Sequence, residues 1–302
     1  MLFLCRDIVV VAQYELASAL RTRLLQVVLL GYGVVIFLGD WIFVETLKAA
    51  ENQVAQQLGL PATQRPGTLL SHLTDSEIVQ AMLVDAVGSE SMVRRLMEHP
   101  LLAVWAGVVA MLALPVVMLA GTAGSLAGEV QSKSVRFLTL RTERLAIVLG
   151  KLVGQALLSV AAALVGVGVT VAVGQFMMVQ QDPAQVGLST LVFCVRGLLY
   201  ALPFGAMGLC VSQWVPSRNG ARVLAMLTWM GCSVLGAWIE FDAPWNLVGR
   251  VLDVVRWFLP TSGWTQMWSG TVSELGGAAA RIGVLTLTWV ALGFVRFSRR
   301  DL

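Results

Sequence analysis

Charge is scarce in this chain: Asp, Glu, Lys and Arg make up 13% of its 302 residues, against about 25% in soluble domains. Too little charge is present to cover a soluble globule of this length. The 57% hydrophobic content and the mean hydropathy of +0.77 equally exclude a disordered chain. Histidine is nearly absent, and the two that exist, His72 and His99, lie outside the apolar runs. A Ser-His pair inside a membrane is therefore excluded, as are paired aspartates, because Asp40 is the sole Asp in any long apolar run. The four cysteines (Cys5, Cys194, Cys210 and Cys232) are scattered, with no C-x-x-C. Zinc, haem attachment and a disulfide framework are accordingly not expected. No phosphate-cradling loop is present: Gly150-Lys151 is preceded five positions earlier by Leu145 and followed by Leu152. No catalytic, cofactor-binding or metal-binding residue is expected, and the chain reads as non-catalytic. A net charge of +3, with the basic residues beside apolar runs, gives no case for nucleic acid.

What is abundant is long apolar sequence. A bilayer core about 30 Å thick needs about 20 apolar residues per helix, and six stretches qualify: 24–44, 101–127, 149–179, 188–211, 221–239 and 282–295. The last reaches full length only by borrowing the small residues Gly276 to Ala280. The first begins too far in, and lacks the small-residue cleavage site, for a signal peptide. Lys and Arg set the orientation. With the N-terminus inside, thirteen of the twenty-one basic residues fall in short inner segments and seven in the longer outer ones. Seven of the ten tryptophans (41, 105, 238, 245, 257, 264 and 268) fall near the outer boundary, where indole rings favour the interface. The sequence therefore predicts an all-α polytopic membrane protein with six transmembrane helices and cytoplasmic N- and C-termini. With no sequon and no outer cysteine, a bacterial inner membrane is the expected location.

Two outer segments are more than turns. After the first span, residues 45–100 carry Leu47, Ala50, Val54 and Leu58, then Ile78, Met82 and Leu83, at helical spacing. Thr74 and Glu77 form a capping-box pattern before the second group. This predicts a helical outer cap that could receive an extracytoplasmic partner. Between the fifth and sixth spans, Val248 to Leu259 separates Gly249, Arg250, Asp253 and Arg256 from Val251, Leu252, Val255 and Phe258, the pattern of an interfacial helix.

Charges inside spans are costly, about 2.5–3.5 kcal/mol each on insertion scales, and are kept for a reason. Arg196 lies deepest in the predicted fourth span, with Asp40 and Glu240 near the outer ends of the first and fifth as its candidate partners. Either these three line a translocation path or they fix helix packing by ion pairing. Gly124 with Gly128, and Gly150 with Gly154, have the spacing for close helix contact. Pro115 and Pro203 are expected to kink the second and fourth spans.

The inner loop, 128–151, reads GEVQSKSVRFLTLRTERLAIVLGK. Phe137, Leu138 and Leu140 interrupt its charges, as in an amphipathic helix presented at a membrane surface, either to anionic lipid or to a docking protein. Residues 1–23 form a second mixed segment, an amphipathic N-terminal helix. The residues Glu129, Ser134, Leu138, Leu140, Thr142, Arg144, Gly150 and Lys151 together resemble the inner loop of type-2 ATP-binding cassette (ABC) transporter permeases. YELASALRTR, with Glu15, Arg21 and Arg23, is similar to that family's opening helix, and the terminal FSRRDL to its short basic ending. Ser134-Val135 replaces the common Gly-Thr pair, and Arg141-Thr142 the usual Pro step.

The resemblance implies the permease subunit of an ABC exporter that dimerises with a second permease copy. It implies separate cytoplasmic ABC ATPase subunits, which carry the ATP and magnesium that this chain does not. Glu129, Ser134, Arg136, Phe137, Leu138, Leu140, Arg141 and Arg144 would then form the ATPase-coupling element, and Glu15, Arg21 and Arg23 an N-terminal interface. Residues 101–302 would be the remaining five-span domain. Two other readings stay open: an ATP-independent channel or secondary carrier, and a non-transporting membrane assembly subunit.

Overall fold

The structure is a computed structural model; it describes residues 2–57, 65–67, 90–134, 139, 142–179, 181–242, 257–269 and 272–299. Among these the secondary structure is helical, without strands. In an apolar medium the backbone must satisfy its own polar groups, and a single helix does so within one segment. The helices are α1 (Leu2–Arg21), α2 (Leu24–Gln57), α3 (Glu90–Leu96), α4 (Leu101–Ala123) and α5 (Ser125–Gln131), followed by α6 (Arg144–Met177), α7 (Pro183–Trp214), α8 (Arg218–Asp242), α9 (Trp264–Ser269) and α10 (Val272–Ser298).

Five of the described helical stretches are long and apolar enough to cross a membrane: Leu25–Gln56, Leu101–Gln131, Arg144–Met177, Pro183–Trp214 and Ser273–Ser298. The chain is a multi-pass membrane protein. Two boundaries differ from those read in the sequence. The first apolar helix does not stop at 44 but continues to Gln57, so Leu47, Ala50 and Val54 extend that helix instead of opening a separate cap. At 1.5 Å per residue its 34 residues span about 51 Å, which places Asp40 in the middle of the helix and not near its end. The last helix runs unbroken through Gly276 and Gly277. The predicted helix around Ile78 lies outside the described residues, as do all but the last three residues of the one predicted over 248–259. Helices α4 and α7 continue through Pro115 and Pro203.

The bundle has two distinct ends. At one, the start of α6, the finish of α10, α1, α5 and the start of α8 converge, bringing Arg144, Lys151, Arg218 and Arg222 together; this is the basic end. At the other, Trp105 stacks on Phe43 with ring centroids 5.5 Å apart, and Trp264 and Trp268 pack with Tyr200 and Phe193. The core lies between α4 and α7, where α7 presents Gly197, Gly205 and Gly208 to Leu114, Met118 and Thr122. A Cβ at Gly208 would lie 2.3 Å from Thr122 Oγ1 and 3.1 Å from the Leu119 carbonyl oxygen, so only glycine permits this approach.

Helix α1 folds back against α6. The reversal is made at Arg23, whose φ of 56° puts a non-glycine residue in the left-handed region. Val11, Ala12 and Ala19 are buried on the inner face of α1. Gly150 and Gly154 supply the seat: a Cβ at Gly150 would come within 2.6 Å of Val11 Cβ and 3.0 Å of the Ile8 carbonyl oxygen. Gly150→Leu should therefore unseat α1, whereas Gly283→Leu, at a position with nothing within 4 Å, should not. Amide hydrogen exchange across residues 8–19 checks this, with protection expected to fall only in the first variant.

Candidate functional site at the basic end of the bundle

Lys151 lies in the third turn of α6, within a run of Leu, Val, Ile and Gly, and its side chain is only 3% exposed. A buried ammonium is retained only with counter-charge and hydrogen bonds. Two carboxylates supply them. Lys151 Nζ donates to Glu129 Oε1 at 2.7 Å and to Glu15 Oε1. Glu129 is 17% and Glu15 24% exposed. One cation from α6 thus ties an acid of α1 to an acid of α5, across 136 and 22 residues of sequence.

Local structure positions each partner. Glu15 is delivered by the seat of α1 on Gly150 and Gly154; a Cβ at Gly154 would lie 2.9 Å from Glu15 Cβ. Glu129 is delivered by a break in helix α4–α5. At Gly124 the α4 helix stops and α5 restarts, leaving amides without partners, and the buried Ser212 hydroxyl of α7 accepts from Leu126 N at 3.1 Å and Ala127 N at 2.8 Å. The turn after α5 is held locally: Ser134 Oγ donates to the Glu129 carbonyl oxygen at 3.4 Å, and Lys133 takes a φ of 60°. Gln131 Oε1 accepts from Arg218 N at 3.2 Å, joining α5 to the start of α8.

Arg144 closes the same end. Its Nη1 donates to the carbonyl oxygens of Phe297 at 2.9 Å and Ser298 at 2.7 Å, and the guanidinium lies 5.7 Å from the Phe297 ring centroid. It thereby satisfies orphan carbonyls at the C-terminus of α10, where a cation also suits the helix dipole. Of the predicted coupling residues, Glu129, Ser134 and Arg144 converge here, while Arg136, Phe137, Leu138, Leu140 and Arg141 lie outside the described residues. Of the predicted N-terminal interface, Glu15 enters the charge cluster, Arg21 ends α1, and Arg23 makes the elbow.

Of the candidate path residues, Asp40 and Arg196 have separate partners. Asp40 is completely buried and accepts from Thr170 Oγ1 of α6 at 2.7 Å. Arg196 belongs instead to the tryptophan end. Its Nη1 donates to the Met267 carbonyl oxygen at 3.2 Å, and its guanidinium lies 5.5 Å from the Phe193 ring centroid. Of the two candidate partners of Arg196, Asp40 is engaged by Thr170 of α6, while Arg196 itself is held by the Met267 carbonyl oxygen of α9. Glu240 lies in α8 and its side chain is outside the described residues. His99 pairs with Ser189 Oγ at 3.0 Å and meets Phe193 edge-on. Burial, then the nearby Arg196 charge, push its imidazole below its ordinary value against a smaller upward pull from Glu98.

Sequence reasoning placed Lys151 only as the residue opening a span. The signal that could have marked it was a lone lysine a few residues inside an apolar helix, but nothing local to it names its two partners.

Residues 9–302 match the model of a family described as "ABC-2 family transporter protein". The comparison with curated proteins gives no match.

Removing the cation should be costly. Lys151→Met leaves two carboxylates facing each other in a largely dry site, and should destabilise the detergent-solubilised protein by about 3 kcal/mol or more. Adding Glu15→Gln and Glu129→Gln to it should recover most of that loss. Thermal unfolding of the single and triple variants reads the difference.

Proposed function

The chain belongs to the ABC-2 transporter family, and from that premise we propose that it is the permease subunit of an ABC exporter, driven by separate cytoplasmic ATPase subunits. Membership and the membrane-spanning helices establish a transport permease. Six spans follow if α8, whose 25 residues are about 37 Å long, crosses with the other five. The basic end is then cytoplasmic by the distribution of Lys and Arg, in a bacterial inner membrane, and the chain works as a dimer of permeases.

The observation that carries this reading is the Lys151 cluster. An ATPase beneath the membrane can act on this chain only through what reaches the basic end. The loop between α5 and α6, with Phe137 and Leu138 among basic residues, is the apolar-and-charged element suited to a groove on such a partner. One of its flanks carries Glu129 and the other carries Lys151, and their bond joins both flanks to α1. A push on the loop is delivered to α4, α6 and α1 at once, as a rigid-body displacement. ATP and magnesium belong to the partner; this chain supplies the path and the lever.

Co-expression with the ATPase tests the docking element. Phe137→Asp with Leu138→Asp should abolish co-purification while leaving the thermal stability of the permease unchanged. Retention of the ATPase by that variant would refute the docking role. Export driven by an ion gradient, with no ATPase present, would instead identify a secondary carrier.

A further inference from the structure

Adjoining the charge cluster, whose Glu15, Glu129 and Lys151 form part of its wall, is a cavity of about 830 Å³. It is bounded on one side by the α1–α2 elbow and on the other by the first two turns of α8. Between them the floor is made of small residues of α4 and α5, Gly121, Gly124 and Gly128. Arg218 and Arg222, one turn apart on α8, line the same space. Their stems lie across the glycine floor: a Cβ at Gly124 would be 2.9 Å from Arg222 Nε and 3.1 Å from Arg218 Cγ. Neither guanidinium takes part in an ion pair among the described residues. The two acids of the cavity wall, Glu15 and Glu129, are engaged by Lys151. Counting those three with the two arginines leaves the lining with one net positive charge.

The remaining lining is mixed. Tyr14, Ser125 and Gln155 offer polar groups, while Val27 and Leu158 are apolar. Val27 is 66% exposed, on the outer surface of an apolar helix where acyl chains would lie. Arg218 and Arg222 are themselves exposed, so the cavity joins an accessible cationic wall to a lipid-facing edge. We propose that it is a binding site for the anionic phosphate headgroup of a membrane amphiphile, with Arg218 and Arg222 as the phosphate ligands. Two guanidiniums on one helix face, without an ion pair among the described residues, match tetrahedral phosphate oxygens in charge and in donor geometry. The volume is far larger than a phosphate ion needs, so it also admits the glycerol or sugar that would join headgroup to tail. The site does not depend on the ATPase: it needs only this chain folded in a bilayer.

The test uses the full chain in nanodiscs of phosphatidylcholine doped with phosphatidylglycerol, followed by release into native mass spectrometry to count retained lipid. The wild type should retain phosphatidylglycerol in preference to phosphatidylcholine. Arg218→Gln with Arg222→Gln should weaken that retention about tenfold or more. A variant that keeps both arginines separates a shaped site from loose attraction to a basic surface. Gly128→Leu fills the floor, where a Cβ would sit 3.4 Å from the flexible Arg218 Cδ, and it should lower retention comparably. Equal retention by wild type and Gly128→Leu overturns the proposal, as does equal retention of the two lipids by the wild type without competition from phosphate. Competition by inorganic phosphate with no preference between lipids keeps the two arginines as phosphate ligands but assigns them to a soluble phosphate.

Discussion

A lysine buried in an apolar helix constrains everything around it. Stripping an ammonium of water costs several kcal/mol even after relaxation, so Lys151 can remain charged only if counter-charges are brought to it and held. The basic end of this bundle meets that demand. Glu15 comes from the N-terminal helix and Glu129 from the segment after the second apolar helix, and neither element would need its observed position if α6 carried leucine at 151. The net stability of such a cluster is modest, because attraction and desolvation nearly cancel. Its yield is specificity of arrangement: three segments far apart in sequence have one low-energy way to meet.

The packing around the cluster is built to allow that meeting. Gly150 and Gly154 flatten one face of α6 so that α1 lies close enough for Glu15 to reach. Gly124 breaks the α4 helix, and Ser212 satisfies the amides that the break exposes. The redirected α5 then carries Glu129 inward. Small residues thus act twice at this end, as contact surface for α1 and as the floor beneath Arg218 and Arg222. Arg144 adds a separate tie, from the start of α6 to the last carbonyls of α10. The loop between α5 and α6 is consequently flanked on both sides by anchored helix, which is what a transmitting element requires.

Much of this was legible in the residues and some was not. Apolar run length gave the long helices directly, since the bilayer sets their scale. The clustering of Lys and Arg and of Trp at opposite ends of the spans reappears as the two ends of the bundle. Helix ends were read less well: α2 continues through Glu45, Lys48 and Glu51, because leaving the apolar run does not require a helix to stop. The burial of Glu51, whose Oε1 accepts from Gly67 N at 2.9 Å, shows that extension packed by protein. Glu15, Glu129 and Lys151 each lay in a recognisable motif. That they touch is a tertiary fact, set by the elbow at Arg23 and the break at Gly124, and neither announces its direction in sequence. Asp40, considered as a partner of Arg196, is instead engaged by Thr170, since position along a span says nothing about which face a side chain occupies.

The central claim is that the charge cluster makes α1, α5 and α6 one mechanical unit at the basic end. It is tested most directly by measuring distances between spin labels at Tyr14 on α1 and Val153 on α6, both exposed positions, in the permease bound to the ATPase proposed to drive it. The account predicts one narrow distance that is unchanged between nucleotide-free and ATP-trapped complexes and broadens in Lys151→Met. A separation that changes when ATP is trapped, or a distribution indifferent to the loss of Lys151, would contradict it.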